Sequence, residues 1–420
     1  TGEEMKKIIA LLLLFAMIFS LAACAAGTPQ QSASDPASEE TASTGPVSGS
    51  TTELDASNPI KIGYLAWASG ADAYFGLVAI AALEDRIEEI NANGGLLGRK
   101  VELVWYDISA DFSESVNATN KLINQDHVDA IIGPDGSPFA ITLGSLVEEA
   151  QVPLLPNCGN AEVTVDTDGR TKPYVFRVAP QNGLSSSTMA HYVYEELGVR
   201  KIATLTESTN ISTVEAADYF VDEFEALGGE IVAEESYMLN DTEFRAQITK
   251  IAQAEPEYVY MPAAAYKEVC NFAIQLSDMG YGDKIKILGT DAWYNPDALA
   301  VAGDALEGCV VISALDMNSD AIRPMVEEFA KKHADLNANL HLYALYAVNA
   351  MQFVEYAINT AGTTDGPALK EALENATGVD MITGGKWYFD EHHDPIGPEF
   401  TILSIENGQA VSNGTYSVKD

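Results

Sequence analysis

Residues 89–103, EINANGGLLGRKVEL, separate two different hydrophobic patterns. Upstream, over residues 75–91, apolar side chains recur at the spacing of an amphipathic helix. Downstream, the short apolar run at 101–105 is typical of a strand, and the glycines at 94–95 suit the end of a helix. The stretch therefore predicts a helix, a sharp stop and a strand in direct succession.

The same alternation of short strands with longer amphipathic helices continues on both sides of this stretch. A βαβα rhythm favours a parallel sheet covered by helices on both faces. The body, from about residue 58 to residue 420, is too long for one ordinary core, so we expect an α/β fold of two doubly wound parallel-sheet lobes. Ligands of such sheets bind beyond the carboxyl ends of the strands. Strands are predicted at residues 60–64, 101–105, 130–132, 152–155, 201–205, 230–234, 258–261, 285–288 and 309–314, and helices at 75–91, 112–124, 138–150, 187–197, 214–227, 244–254, 267–279, 322–334 and 343–361.

Acidic residues dominate the charge of the chain, with 62 Asp and Glu against 23 Lys and Arg and a formal net charge of −39. The composition offers no basic stripe for phosphates and therefore excludes a nucleic-acid partner. Hydrophobic residues make up 47% of the chain, which is enough for well-packed cores. We interpret the acidity as a source of solubility outside the cell.

The N-terminal residues have the pattern of an export signal. Residues 5–7, MKK, are basic, and the apolar run at 8–21 suits a signal-peptide core but is too short for a stable membrane anchor. Residues 21–24, LAAC, resemble the lipobox of bacterial lipoproteins, in which the cysteine becomes the first mature residue and carries the lipids. Residues 5–23 are therefore expected to be a lipoprotein signal peptide, and Cys24 is expected to be lipidated. An ordinary secretory signal with a chance cysteine is the alternative.

Residues 24–57 contain Ala, Ser, Thr, Gly, Pro and Glu and hardly any large apolar side chains. Such a segment buries too little surface to offset its ordering entropy, so we expect a disordered tether. No later stretch is apolar for long enough to span a bilayer. The predicted location is the outer face of the cytoplasmic membrane, reached only through the lipid anchor.

The cysteines other than Cys24 have no spacing typical of a metal site. Cys270 lies in a helix pattern and Cys309 in a strand pattern, and both are interpreted as small buried apolar residues. Together with Cys158 they are odd in number and cannot all pair within one chain. One disulfide between two of the three stays open, because the predicted location is oxidising.

No constellation of residues supports catalysis, a metal site or a cofactor. The sequence His392-His393-Asp394 lies in a turn beside Pro395, and adjacent histidines on a strand point to opposite faces. The chain has no Gly-x-Ser-x-Gly elbow, phosphate loop or dinucleotide fingerprint. We therefore predict a protein that is not an enzyme and that uses neither metal nor cofactor.

Three further motifs follow residues 89–103 along the chain: residues 129–134 (DAIIGP), 173–177 (PYVFR) and 386–398 (KWYFDEHHDPIGP). Together and in this order, the four segments resemble landmarks of the leucine/isoleucine/valine-type substrate-binding proteins of ABC transporters. The resemblance implies a type I periplasmic-binding fold in which the chain crosses three times between two lobes. It implies a first lobe of residues 58–180 and 316–384 and a second lobe of residues 181–315 and 385–420.

The resemblance also implies an extracytoplasmic protein that captures a small ligand and hands it to an ABC permease. The family default is a branched-chain amino acid, and short amides, peptides and aromatic acids stay open as ligands. A surface lipoprotein that senses a ligand and signals to a receptor is the alternative function, because the same fold serves both.

Two residues match family positions that hold a zwitterionic ligand. Ser137 follows a buried strand and precedes a helix, where the family serine binds the ligand carboxylate. Asp291 matches an acidic position from which the second lobe meets the ligand amine. Hydroxyls and helix N-termini suit a carboxylate, and an acid on the opposite lobe favours closure. A helix N-cap and a turn-stabilising aspartate are the structural alternatives.

Further candidates lie near the predicted carboxylate-binding serine and in the first loop. Asp135 and Gly136 directly precede that serine, and the Asp135 carboxylate would disfavour an anionic group or favour a cationic one. Trp67, Ser69 and Phe75 belong to the region after the first strand. Aromatic rings there can wall a pocket or hold a cation, and they can equally pack within the lobe.

Three positions depart from the family pattern and leave the ligand's identity open. Asn157 stands where a small alanine is common, and Gly159 stands where the family often has a threonine that binds the ligand. Ile211 replaces a tyrosine on the second lobe. These residues are included as candidate ligand contacts because they change the polarity and width of the predicted pocket.

Overall fold

The computed structural model describes residues 54–70, 73–263, 265–291, 296–336 and 338–418. The predicted signal peptide, Cys24 and the tether up to residue 53 lie outside the described residues. Strands are β1 (Asp55–Ala66), β2 (Arg99–Asp107), β3 (Ala130–Asp135), β4 (Leu154–Asn157), β5 (Lys201–Glu207), β6 (Glu230–Tyr237), β7 (Tyr258–Tyr260), β8 (Lys286–Thr290), β9 (Val310–Ser313), β10 (Val379–Asp380), β11 (Lys386–Phe389), β12 (Pro395–Ile396), β13 (Phe400–Glu406) and β14 (Gln409–Tyr416). Helices are α1 (Ala73–Ala92), α2 (Phe112–Lys121), α3 (Ser137–Ala150), α4 (Asn182–Glu195), α5 (Ile211–Ala226), α6 (Arg245–Gln253), α7 (Tyr266–Asp278), α8 (Pro296–Ala302), α9 (Arg323–Lys332), α10 (Leu342–Ala361) and α11 (Gly366–Glu374).

Four parallel strands form the first sheet in the order β2-β1-β3-β4. Successive side chains of a strand point to opposite faces. Ile62 and Tyr64 of β1 therefore join the core against α1 and α10, whereas Leu65 joins the core against α2 and α3. Helices cover both faces of this sheet, as the apolar strand patterns predict.

Seven strands form the second sheet in the order β14-β13-β9-β8-β7-β5-β6. The five strands from β9 to β6 are parallel neighbours, and β13 and β14 add an antiparallel edge that the alternating pattern did not predict. Phe220 of α5 packs on one face and Phe272 of α7 packs on the other. Helices thus cover both faces of the second lobe as well.

The chain crosses three times between the two sheets, as the membership of the hydrophobic cores shows. In sequence, α1 and α10 are separated by all strands of the second sheet except β13 and β14. Because of the crossings, the two helices nevertheless pack against each other in the first lobe. Two helix-covered lobes joined in this way confirm the predicted fold class. The crossings lie between Val178 and Met189, between Ala314 and Leu315, and between Phe389 and Phe400.

The globular fold begins earlier than the predicted end of the tether at residue 57. β1 starts at Asp55, which pairs with Arg99, and the Asp55 N–H donates to the Gly98 carbonyl at 3.1 Å. The Arg99 guanidinium also donates to the Asn58 carbonyl at 2.7 Å. The hydrophobic pattern did not predict this part of the strand, because its side chains are mostly polar. It lies at the exposed end of β1, where backbone pairing forms the strand.

The return of the chain to the second lobe comes later than the predicted boundary at residue 385. Trp387 and Phe389 of β11 are buried in the core of the first sheet. Among the described strands, β11 pairs only with the short strands β10 and β12, whereas β13 is the first later strand to pair within the second sheet. Residues 386–389 therefore belong with the first lobe.

The three described cysteines are free and buried. Cys270 and Cys309 lie in the apolar core of the second sheet, which confirms their interpretation as small buried residues. Burial raises the pKa of both thiols to about 12, so they stay protonated at neutral pH. Cys158 lies in the first lobe, where its thiol donates to the Pro134 carbonyl at 3.4 Å.

His393 has a packing role in the third crossing. Its ring stacks on Phe176 with the ring centroids 4.0 Å apart, and its Nδ1 lies 3.0 Å from the Val175 carbonyl oxygen. Within the described ranges, no group of His, Cys, Asp and Glu is arranged to hold a metal ion. The same ranges contain no helix with the length and apolarity needed to cross a bilayer.

Candidate ligand-binding site

The carboxyl ends of β3 and β4 place two polar side chains next to each other. The parallel register pairs Asp135 with Asn157, and Asn157 Nδ2 donates to Asp135 Oδ1 at 3.0 Å. Each residue is only 6% exposed. Burial raises the pKa of Asp135 to about 7, and the hydrogen bond from Asn157 opposes that rise.

Two buried polar atoms near Asp135 lack a hydrogen-bond partner within the described part of the chain: the Tyr64 hydroxyl and the Trp67 indole N–H. The Tyr64 hydroxyl is close enough for the charge of Asp135 to raise its pKa further above the value that burial imposes. Trp67 lies against Gly136, where a Cβ would be 3.0 Å from Trp67 Cζ2 and φ is +90°. Gly136 therefore allows the indole to approach the backbone, and any larger residue would displace it.

Ser137 begins α3 and connects the two lobes. Its Oγ accepts hydrogen bonds from the Asn160 N–H at 3.2 Å and from Ser212 Oγ at 3.0 Å. Ser212 belongs to α5 of the second lobe. The sequence pattern singled out the preceding residue, Ile211, and missed Ser212, although a hydroxyl at the start of a helix was a usable signal.

The pKa of the Tyr343 hydroxyl in α10 is affected by acids from both lobes. Removal from water raises the pKa of its hydroxyl, and Asp291 and Asp135 raise it further. Asp291 follows β8 of the second sheet and accepts a hydrogen bond from Ser313 Oγ at 3.4 Å. One turn along α10, the buried Tyr346 hydroxyl also has its pKa raised by Asp291. Both predicted acids therefore lie within electrostatic reach of the Tyr343 hydroxyl.

The Phe75 ring of α1 and the His341 ring pack against Tyr343. The Phe75 ring lies 5.4 Å from the Tyr343 ring and 5.1 Å from the His341 ring, measured between centroids. His341 Nδ1 accepts from the Ala344 N–H, so Nε2 carries the proton and donates to the Phe75 carbonyl at 3.2 Å. Burial lowers the pKa of His341 to about 4, and the imidazole is therefore neutral at physiological pH.

Three predicted site residues have contacts elsewhere. Ser69 is exposed, and its Oγ lies 2.8 Å from Ser109 Oγ in the loop after β2. Ile211 is 44% exposed and, with Asn160 and residues of α5, lines a groove of about 570 Å³. Gly159 lies under Asn182, whose side chain occupies the position where a Cβ would stand. None of the described contacts of these residues is with Asp135 or Asp291.

We expect Gly159→Ala to lower the free energy of unfolding by about 1–3 kcal/mol. The added Cβ would stand 2.0 Å from Asn182 Oδ1. Moving Asn182 would break the hydrogen bond from its Nδ2 to Glu215, which measures 2.9 Å. Urea unfolding measures the loss. In an Asn182→Ala background the same change should have almost no effect, and an equal loss in both backgrounds would contradict the steric explanation.

Asp135→Asn is expected to stabilise the ligand-free protein by about 2 kcal/mol at about pH 8. The raised pKa means that the buried carboxylate is fully charged only above pH 7, whereas the unfolded chain ionises near its usual value of about 4. The destabilisation that this charge causes is therefore complete above pH 7 and disappears below about pH 4. Urea unfolding across this range should show the gain shrinking as the pH falls. Equal stability of both proteins at about pH 8 would contradict the prediction.

Known proteins share this architecture. The model of the family described as periplasmic binding protein matches residues 59–410. Leu/Ile/Val-binding protein homolog 3 of Brucella melitensis is 25% identical over 355 residues, which cover 84% of this chain and 93% of that protein. Leu/Ile/Val-binding protein BraC3 of Rhizobium johnstonii is 25% identical over 358 residues, which cover 84% and 93% of the two chains.

Two solved structures have the same fold. The substrate-binding protein LivJ of Streptococcus pneumoniae in complex with isoleucine has a TM-score of 0.75 at 23% identity, covering 86% of this chain and 100% of that one. A solute-binding protein of Rhodopseudomonas palustris in complex with 3,4-dihydroxybenzoic acid has a TM-score of 0.75 at 23% identity, covering 86% and 98%. The family match spans both lobes and all three crossings, so this chain belongs to the periplasmic binding protein family.

Proposed function

We propose that this protein binds an amino acid between its two lobes, outside the cytoplasmic membrane, and delivers it to an ABC importer. The observation that supports this most directly is the hydrogen bond of 3.0 Å from Ser212 of the second lobe to Ser137 of the first, beside strand ends that carry acids. Asp135 ends a strand of the first sheet, Asp291 follows a strand of the second, and the charges of both add to the rise that burial causes in the pKa of Tyr343. Polar groups from both lobes therefore meet beyond the carboxyl ends of the strands, where ligands of such sheets bind.

A zwitterionic ligand needs one group for each of its charges. The N-terminus of α3 and the Ser137 hydroxyl are suited to the carboxylate, because the first N–H groups of a helix point outward and the helix dipole favours negative charge. Asp291 is suited to the ammonium. Because these groups belong to opposite lobes, a bound amino acid would connect the lobes directly.

Closure follows from this bridging arrangement. The Ser137–Ser212 hydrogen bond links the lobes at 3.0 Å next to the proposed carboxylate position. A ligand that contacts both lobes binds the closed form more tightly than the open form and shifts the population toward it. The closed form is the one that we propose docks on the permease.

The N-terminal segment would keep the protein near that permease. Residues 21–24 support lipidation of Cys24, and residues 25–53 have the composition of a flexible tether. We propose that the acyl chains insert in the outer face of the cytoplasmic membrane. Metabolic labelling with a radioactive fatty acid tests this, because Cys24→Ala should abolish the label.

A thermal-shift screen of the soluble body against amino acids, amides and aromatic acids tests the function. A ligand present at a thousand times its dissociation constant should add about 4 kcal/mol of apparent stability. Stabilisation by an amino acid is the expected result. Stabilisation only by aromatic acids, such as the one that a structural neighbour binds, would overturn the amino-acid assignment. We do not expect this result, because the charges of Asp135 and Asp291 disfavour an anionic ligand.

A further inference from the structure

Two acceptor oxygens at the end of the first sheet, one on Asp135 and one on Asn157, accept no hydrogen bond from the described residues. Asp135 Oδ1 accepts the hydrogen bond from Asn157 Nδ2, and among the described residues nothing donates to Asp135 Oδ2 or to Asn157 Oδ1. Both residues are more than nine-tenths buried. The pair therefore presents two free acceptor oxygens beside one remaining amide N–H of Asn157, and a partner for the two oxygens must supply N–H or O–H groups.

No positive charge of the described protein compensates Asp135. Only burial and the Asn157 hydrogen bond perturb its pKa, and no lysine, arginine or histidine contributes. The two buried cations of this lobe have other partners: Arg177 donates to Asp394, Thr164 and the Asn160 carbonyl, and Lys172 donates to the Glu162 carbonyl. A buried carboxylate without a compensating cation destabilises the folded state, so a protein that keeps one gains from it elsewhere.

The groups around Asp135 also suit a cation. The Tyr64 hydroxyl is 1% exposed, has no hydrogen-bond partner among the described residues and lies within electrostatic reach of Asp135. The Trp67 ring lies against Gly136, the residue that follows Asp135. Aromatic faces attract cations, and a hydroxyl oxygen accepts a hydrogen bond from an ammonium group. The unpartnered hydroxyl is thus a second, independent indication of a missing ligand group.

We propose that Asp135 and Asn157 bind a second cationic nitrogen of the ligand, in addition to the α-ammonium group assigned to Asp291. The substrate class is then a basic amino acid or a closely related diamino compound, and Asp135 is the specificity-determining residue. This inference rests on the proposed function, because it extends the same site. It predicts a ligand with a net positive charge for a pocket with an acid on each lobe.

A neutral or an anionic ligand group at this position would leave the Asp135 carboxylate without a hydrogen-bond donor. An aliphatic side chain at this position would exclude water without supplying a donor for either free oxygen, and unsatisfied buried acceptors are costly. A second carboxylate would add repulsion between like charges. An ammonium or guanidinium group donates to both oxygens and neutralises the charge.

The test compares L-lysine with L-norleucine, which has the same straight side chain without the terminal ammonium group. Isothermal titration calorimetry would measure both for the wild type and for Asp135→Asn, which keeps the shape and the bond from Asn157. Asp218→Asn is the matched control, because it removes one charge from the exposed surface of α5. The wild type is expected to bind lysine about 10–100-fold more tightly than norleucine.

Asp135→Asn should remove most of this preference by weakening lysine binding, whereas Asp218→Asn should keep it. Equal affinity of the wild type for the two probes, or an unchanged preference in Asp135→Asn, would overturn the second cation subsite while leaving the amino-acid function standing. Binding of neither probe, together with no amino acid in the thermal-shift screen, would overturn the proposed function as well.

Discussion

Arg177→Met is expected to lower the free energy of unfolding by about 3–5 kcal/mol, because it leaves a largely buried carboxylate without its cation. Arg177 is fully buried. Its Nε donates to Asp394 Oδ1 at 2.7 Å, and its other nitrogens donate to the Asn160 carbonyl at 2.8 Å and to Thr164 Oγ1 at 2.9 Å. The same side chain thus holds the third crossing against the loop that follows β4.

Urea unfolding measures this loss, and a surface ion pair supplies the control. Arg323→Met removes an arginine paired with Asp320, whose side chain is 98% exposed, and should change stability by less than about 1 kcal/mol. Asp394→Asn should cost nearly as much as Arg177→Met, because it strands the buried guanidinium. A loss at Arg177 no larger than that at Arg323 would show that the buried pair does not hold the crossing.

Asp291→Asn is expected to weaken binding of the amino acid found in the screen by about 100-fold, or roughly 3 kcal/mol. The change removes the charge that the second lobe offers to the ligand ammonium, and it therefore weakens the closed form more than the open form. Ser137→Ala should have a smaller effect, about 10-fold, because backbone N–H groups of α3 remain.

Calorimetric titration measures both effects, with circular dichroism to establish that each variant is folded. Asp283→Asn, an exposed aspartate of the second lobe, controls for the loss of one charge. Affinity that is unchanged in both Asp291→Asn and Ser137→Ala would remove the assignment of these two residues to the ligand. The family membership would stand, because it depends on the match over residues 59–410.

Several site residues could be predicted because their signals are local. Asp135, Gly136 and Ser137 stand in a glycine-containing turn between a buried strand and a helix, a pattern visible in the printed chain. Gly136 proved to need its small size for the approach of Trp67. That Ser137 and Asp291 contact a ligand stays a prediction.

Other residues of the polar region could not be predicted from local patterns. Tyr64 follows the apolar alternation of β1, and Tyr343 and Tyr346 occur at helical spacing in a strongly apolar stretch, so all three resemble ordinary core residues. Their hydroxyls become relevant only because α10 returns to the first lobe beside β3. Gly159 is the opposite case. The sequence predicted it as a ligand contact, and in the structure its small size makes room for the side chain of Asn182.

By itself, the amino-acid sequence of this protein determined the alternation of strands and helices, and hence two helix-covered and mainly parallel sheets, because hydrophobic periodicity is a local property. It also determined which acids and hydroxyls end the strands. Only the tertiary structure decided that Asp135 pairs with Asn157 and has no cationic partner among the described residues, and that Arg177 belongs to Asp394. Burial and pairing depend on segments that lie far apart along the chain, and no local pattern records which of them will meet.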